Sequence, residues 1–107
     1  MIDLYLSDLA EVIRSKNAGP YELTLDIIFR SDEIYEKVVS KKLITVSKIA
    51  QLYRIPESQI ISVVEFAPAR AIKATMVRPT ASGDIGDTDI YGAQQHAPLL
   101  NWEFDWK

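Results

Sequence analysis

The chain has 107 residues, 48% of them hydrophobic and 25% charged, the size and balance of one folded domain with a sizeable core. Its formal net charge of −3 is unevenly spread: residues 1–78 carry 11 Lys and Arg against 10 Asp and Glu, residues 79–107 carry 1 against 5. That balance disfavours nucleic acid, which needs clustered cations, and the absence of cysteine excludes disulfides, iron–sulfur ligation and thiol catalysis.

The chain opens Met1-Ile2-Asp3-Leu4-Tyr5, without a basic and apolar leader, and no run approaches membrane-spanning length. A cytoplasmic location and no membrane partner are expected. So is a single domain over residues 1–107, with 79–107 a long functional loop and C-terminal extension.

Taken in order, residues 7–16 read as a short helix. Ser7 or Asp8 is placed to cap it, and Leu9, Val12 and Ile13 form its apolar stripe. Asn17, Gly19 and Pro20 follow as a helix stop. Residues 21–30 give the clearest strand. Tyr21, Leu23, Leu25, Ile27 and Phe29 alternate with Glu22, Thr24, Asp26, Ile28 and Arg30. Asp26 falls mid-strand on the more polar face, either solvated or aimed into a pocket.

Ser31 and Thr45 are the expected caps of two further helices, about 32–42 and 46–54. Residues 60–66 read as an interior strand, because both of its faces are apolar. Ala67-Pro68-Ala69 breaks it, and residues 70–78 return as the second arm of an antiparallel hairpin. From Pro79 the sequence is loop-like to about Leu100. Trp102, Phe104 and Trp106 then alternate with acidic residues, as in a last strand. The expected fold is α+β: a two-layer sandwich with a three- or four-stranded, mainly antiparallel sheet and about three helices on one face.

Two polar clusters could carry chemistry. The stretch Gly83–Leu100 concentrates Asp84, Asp87, Asp89, Tyr91, Gln94, Gln95 and the only histidine, His96, without helical or strand period. Asp84, Asp87 and Asp89 with Thr88 offer oxygen to a hard cation. Counted from Asp84, however, an EF-hand register meets Asp89 where Gly is needed and Gln95 where Glu is needed. One histidine and no cysteine cannot make a zinc site. No metal is therefore expected, and no cofactor is indicated. His96 and Asp89 are the candidates for moving a proton. Asp87, Tyr91, Gln94 and Gln95 are suited to orienting a carboxylate or a thioester carbonyl. Local turn and loop-fastening bonds explain the same residues without any site.

The second cluster is Arg14-Ser15-Lys16-Asn17. Arg14 offers a bidentate fork and Lys16 a point charge to an anionic group, although charge and capping at a helix end explain them equally. No phosphate-binding glycine motif is present. Val46–Ile60 has the rhythm of a helix-turn-helix, but no Lys or Arg follows Pro56 before Arg70, and Ile60, Ile61, Val63 and Val64 favour strand.

Arg14–Pro20, Leu23–Ile27 and Gly86–Leu100 together resemble the bacterial domain-of-unknown-function family 4387, over nearly the whole chain. The resemblance implies a small stand-alone protein or a C-terminal domain. It also implies association with larger proteins of the acyclic-terpene-utilisation AtuA type, in catabolism of small organic acids or acyl thioesters. The expected function is thus an accessory subunit of such a complex, self-associating or bound to the AtuA-like protein. The alternatives are a stand-alone hydratase or lyase, or a non-catalytic structural or regulatory binding domain. Residues 14–17 and 87–96 are expected to meet near the end of the 21–30 strand, and Asp26 is a further candidate for binding the substrate. Trp102, Phe104 and Trp106 fall outside the resemblance.

Overall fold

The computed structural model describes residues 3–18, 21–77 and 97–106. Along the chain these form β1 (Asp3–Tyr5), α1 (Leu6–Leu9), β2 (Ala10–Asn17), β3 (Glu22–Phe29), α2 (Asp32–Ser40) and α3 (Val46–Tyr53). There follow β4 (Ile60–Phe66), β5 (Ala71–Val77), α4 (Ala97–Leu100) and β6 (Glu103–Asp105). Four strands make an antiparallel sheet in the order β2-β3-β5-β4, and β1 pairs with β6 in a separate antiparallel ribbon.

The period-two pattern of β3 dictates which side of the sheet is covered. Leu23, Leu25, Ile27 and Phe29 all point one way and are at most 1% exposed. Ile72, Ala74 and Met76 of β5 lie beside them on the same side, cross-paired Ile27 with Ile72, Leu25 with Ala74 and Leu23 with Met76. Onto this face pack Leu6 and Leu9 of α1, Tyr35 and Val38 of α2, Ile49 and Ala50 of α3, and Leu99 of α4. The result is the expected α+β sandwich with helices on one face. Each fully buried Leu or Ile stabilises it by about 1.5–3 kcal/mol of transfer free energy.

Local signals start and stop the helices where expected. Ser31 Oγ accepts from the Ile34 N–H at 3.2 Å, and Thr45 Oγ1 from the Lys48 N–H at 3.3 Å. Asp32 and Glu33 lie in the first turn of α2, favourably for the helix dipole. α3 ends on Arg54 with φ 57°, a left-handed residue without glycine's freedom.

Three expectations are corrected. Residues 7–16 are not one helix: the helix stops at Leu9, and β2 runs from Ala10 to Asn17. Its capping signal is real but short-lived, with Asp8 accepting from the Tyr5 N–H at 2.9 Å. Beyond Leu9 the β-branched Val12 and Ile13 pair with Ile28 and Ile27, and a seven-pair ladder with β3 outweighs a three-residue apolar stripe. The expected helix stop is instead a hairpin connection, closed by Ala18 N–H donating to Glu22 O at 2.9 Å.

β4 is an edge strand, not an interior one. A bulge between Ile60 and Ser62 turns Ile60 inward, while Ile61, Val64 and Phe66 are 51%, 50% and 55% exposed. Finally, helical turn α4 begins at Ala97, before the expected end of the loop, and its Leu99 is fully buried. Residues 79–96 lie outside the described residues.

The two chain ends meet. β1 pairs with β6 in the register Leu4 to Phe104, and the Leu6 N–H donates to Trp102 O at 2.7 Å. Phe104 is buried, the Trp102 and Phe104 rings sit 4.8 Å apart, and Lys37 Nζ lies 4.2 Å over the Trp106 ring. The terminal aromatics thus anchor the last strand to the body.

Two expected outcomes test this account. Leu25→Ala removes the centre of the covered face and should lower unfolding free energy by about 2–5 kcal/mol, read by urea titration. Burial pushes the Tyr53 phenol well above its ordinary range. The unfolded chain, with a phenol pKa near 10, therefore releases this proton first, so stability is fully present below about pH 10 and falls above it. Tyr53→Phe should flatten that alkaline decline in melting temperature measured against pH.

Candidate functional site

Among the described residues no helix packs on the opposite side of the sheet, and strand alternation sends specific polar residues there. The register aligns Arg14 with Asp26, Asp26 with Lys73, and Lys73 with Val64, one cross-strand rank over all four strands. The next rank is Lys16, Thr24, Thr75 and Ser62, and on the other side lie Val12, Ile28, Ala71 and Phe66. Directly opposed side chains on one face sit about 4.5–5.5 Å apart at Cβ and interact.

Asp26 is the pivot of the central rank. Its carboxylate, only 14% exposed, accepts from Arg14 Nε at 3.2 Å. Arg14 itself is 61% exposed, and this bond engages one of the five N–H donors of a guanidinium. Lys73 flanks Asp26 on its other side and Lys16 is one rank away, so cations outnumber the carboxylate here. Glu22 lies at the end of the same face, opposite Val77.

The polar run 14–17 does not act as one patch. In β2 its members alternate: Arg14 and Lys16 share the open face with Asp26, whereas Ser15 and Asn17 pair with Leu25 and Leu23 on the helix-covered side. Ser15 is 7% exposed, and the side-chain oxygen of Asn17 is buried. Lys73 is the residue that the sequence reading passed over. The alternation of Ile72, Ala74 and Met76 already sets it on the opposite side. Its proximity to Asp26 depends on β5 pairing with β3, which alternation alone does not reveal.

Asp87, Asp89, Tyr91, Gln94, Gln95 and His96 lie outside the described residues, and so does their expected meeting with residues 14–17. Among the described residues no group of three or more His, Cys, Asp or Glu is arranged to hold a metal ion. No helix among them is long and apolar enough to cross a membrane.

Arg30 and Arg70 serve the fold. Arg30 Nε donates to Asp8 O at 3.1 Å, tying β3 to α1. Arg70, at φ 53°, donates from Nε to Phe29 O at 3.2 Å and reaches Glu11 at 3.8 Å.

Fold and site together define a small α+β domain with a charged sheet face opposite its helix-covered one. Residues 6–103 match the family described as Domain of unknown function (DUF4387), and the chain belongs to that family. No curated protein and no solved structure matches it.

An Arg14→Ala, Asp26→Ala double-mutant cycle should return a coupling of only about 0.2–1 kcal/mol by denaturant titration, because the pair is half open to water. A coupling above about 2 kcal/mol would instead mark the pair as a buried structural tie.

Proposed function

We propose that the protein is an accessory subunit that holds a small organic acid or an acyl thioester on its open sheet face. It would do so on behalf of a larger AtuA-like catabolic protein. The observation that supports this reading is the rank Arg14–Asp26–Lys73, with Lys16 beside it. Asp26 fixes the guanidinium through Nε, and an arginine oriented in this way suits bidentate recognition of a carboxylate. Lys73 and Lys16 add point charge without demanding a fixed geometry. Thr75, half-buried on the next rank, supplies a hydroxyl able to donate or accept, whereas Thr24 beside it is buried.

This arrangement is built for grip and orientation, not for proton transfer. The stand-alone hydratase or lyase reading has Arg14 and Lys16 hold the anion while His96 or Asp89 moves the proton, and the last two lie outside the described residues. Asp87, Tyr91, Gln94 and Gln95 belong to the proposal as recognition residues read from the sequence, whereas Ser15 and Asn17, on the helix-covered side, do not. Membership of a family that the resemblance implies to accompany AtuA-like proteins favours a subunit role.

Co-expression with an AtuA-like protein of the same genome should give co-elution in size-exclusion chromatography. Calorimetry with a short-chain acyl thioester should then show affinity falling about tenfold or more in an Arg14→Ala, Lys73→Ala variant, with the complex intact. Separate elution of the two proteins overturns the subunit role. Unchanged ligand affinity in the double variant overturns the open-face site.

A further inference from the structure

The two edges of the main sheet are built differently. β2, at one edge, carries exposed Glu11, Arg14 and Lys16, the charged pattern that keeps an edge from pairing with other chains. β4, at the other, has a single charged residue, Glu65, and three large apolar side chains that are half exposed: Ile61, Val64 and Phe66. Among the described residues, no strand pairs with its outer side.

We propose that β4 pairs antiparallel with β4 of a second copy of this chain, joining two four-stranded sheets into one of eight strands. The identity of the occupant follows from how well this edge complements itself. The bulge leaves Ser62–Phe66 as the regular part of the ladder, five residues whose centre is Val64. Full overlap of two such segments places a two-fold axis at Val64. Residues that face each other must share a side of the sheet, and this register obeys that rule. Val64 meets its own copy, Phe66 meets Ser62, and Glu65 meets Val63, so the carboxylates do not oppose one another.

The nearest like charges are the two Glu65 carboxylates, diagonal neighbours about 7–8 Å apart, whose repulsion at an exposed edge is weak and screened by salt. Lys73 is one strand inward from Val64, so the two copies of Lys73 stand three inter-strand spacings apart, about 14 Å. That exceeds the screening length of about 8–10 Å at ordinary ionic strength. The overlap is short, so the dimer dissociates on dilution. The pairing does not depend on the ligand proposed above, but it has a consequence for it: the two Arg14–Asp26–Lys73 ranks lie on one continuous face, in line.

Sedimentation equilibrium of the full chain tests the pairing. The wild type should move from monomer to dimer with rising concentration. Val64→Lys should abolish dimerisation, with circular dichroism and melting temperature showing a folded monomer. Because the chain has no cysteine, Val64→Cys gives a second reading. Under mild oxidation it should form a disulfide-linked dimer, since directly opposed strand residues fall within disulfide reach, whereas Glu11→Cys on the other edge should not. A wild type that stays monomeric up to about 1 mM overturns the proposal. So does a dimer that survives Val64→Lys and is not trapped by Val64→Cys.

Discussion

The constraint on which this structure depends is the burial of one face of β3. Leu23, Leu25, Ile27 and Phe29 cannot all be covered unless the strand is paired on both sides and roofed by helices. Once they are, period-two geometry leaves no choice for the residues between them. Thr24, Asp26 and Ile28 must emerge on the other face, and the antiparallel partners must match them, bringing Arg14 and Lys73 to Asp26. The charged face is thus a by-product of the core: the same alternation that removes apolar area from water delivers the ion pair.

Much of this was legible in the sequence because the signals were local and periodic. The alternation of 21–30, the Ser31 and Thr45 caps and the 60–77 hairpin all rest on residues within a few positions of one another. The misreadings share one cause. Whether Val12-Ile13 belongs to a helix or a strand, and whether 60–66 is inside or at an edge, depends on partners distant in the chain. Asp8 signals a helix start correctly, but nothing nearby says that the helix lasts only one turn. Likewise the cluster Arg14–Asn17 looked contiguous in sequence and is divided in space, since adjacent strand residues face opposite ways.

The same reasoning separates cations with structural duties from those available to a ligand. Arg30 and Arg70 both donate to main-chain carbonyls where elements join, and both are committed to those joins. Arg14 differs in kind: its partner is a side chain in the middle of the sheet, and most of its surface remains in water. A carboxylate there aligns the guanidinium while neutralising only part of the surrounding positive charge. That combination leaves oriented positive charge facing solvent.

The ribbon formed by β1 and β6 carries a kinetic consequence. The hairpin of β2 and β3 closes over residues 18–21, whereas Leu4 and Phe104 are drawn together from opposite ends of the chain. Closing a loop of about 100 residues costs roughly 3 kcal/mol more chain entropy than closing one of about four. The three-residue strands that do it are too short to form before the core exists to hold Leu6, Leu99 and Phe104. On loop entropy alone the ribbon is expected to assemble late and fray early, and the tryptophans beside it are placed to report on that step.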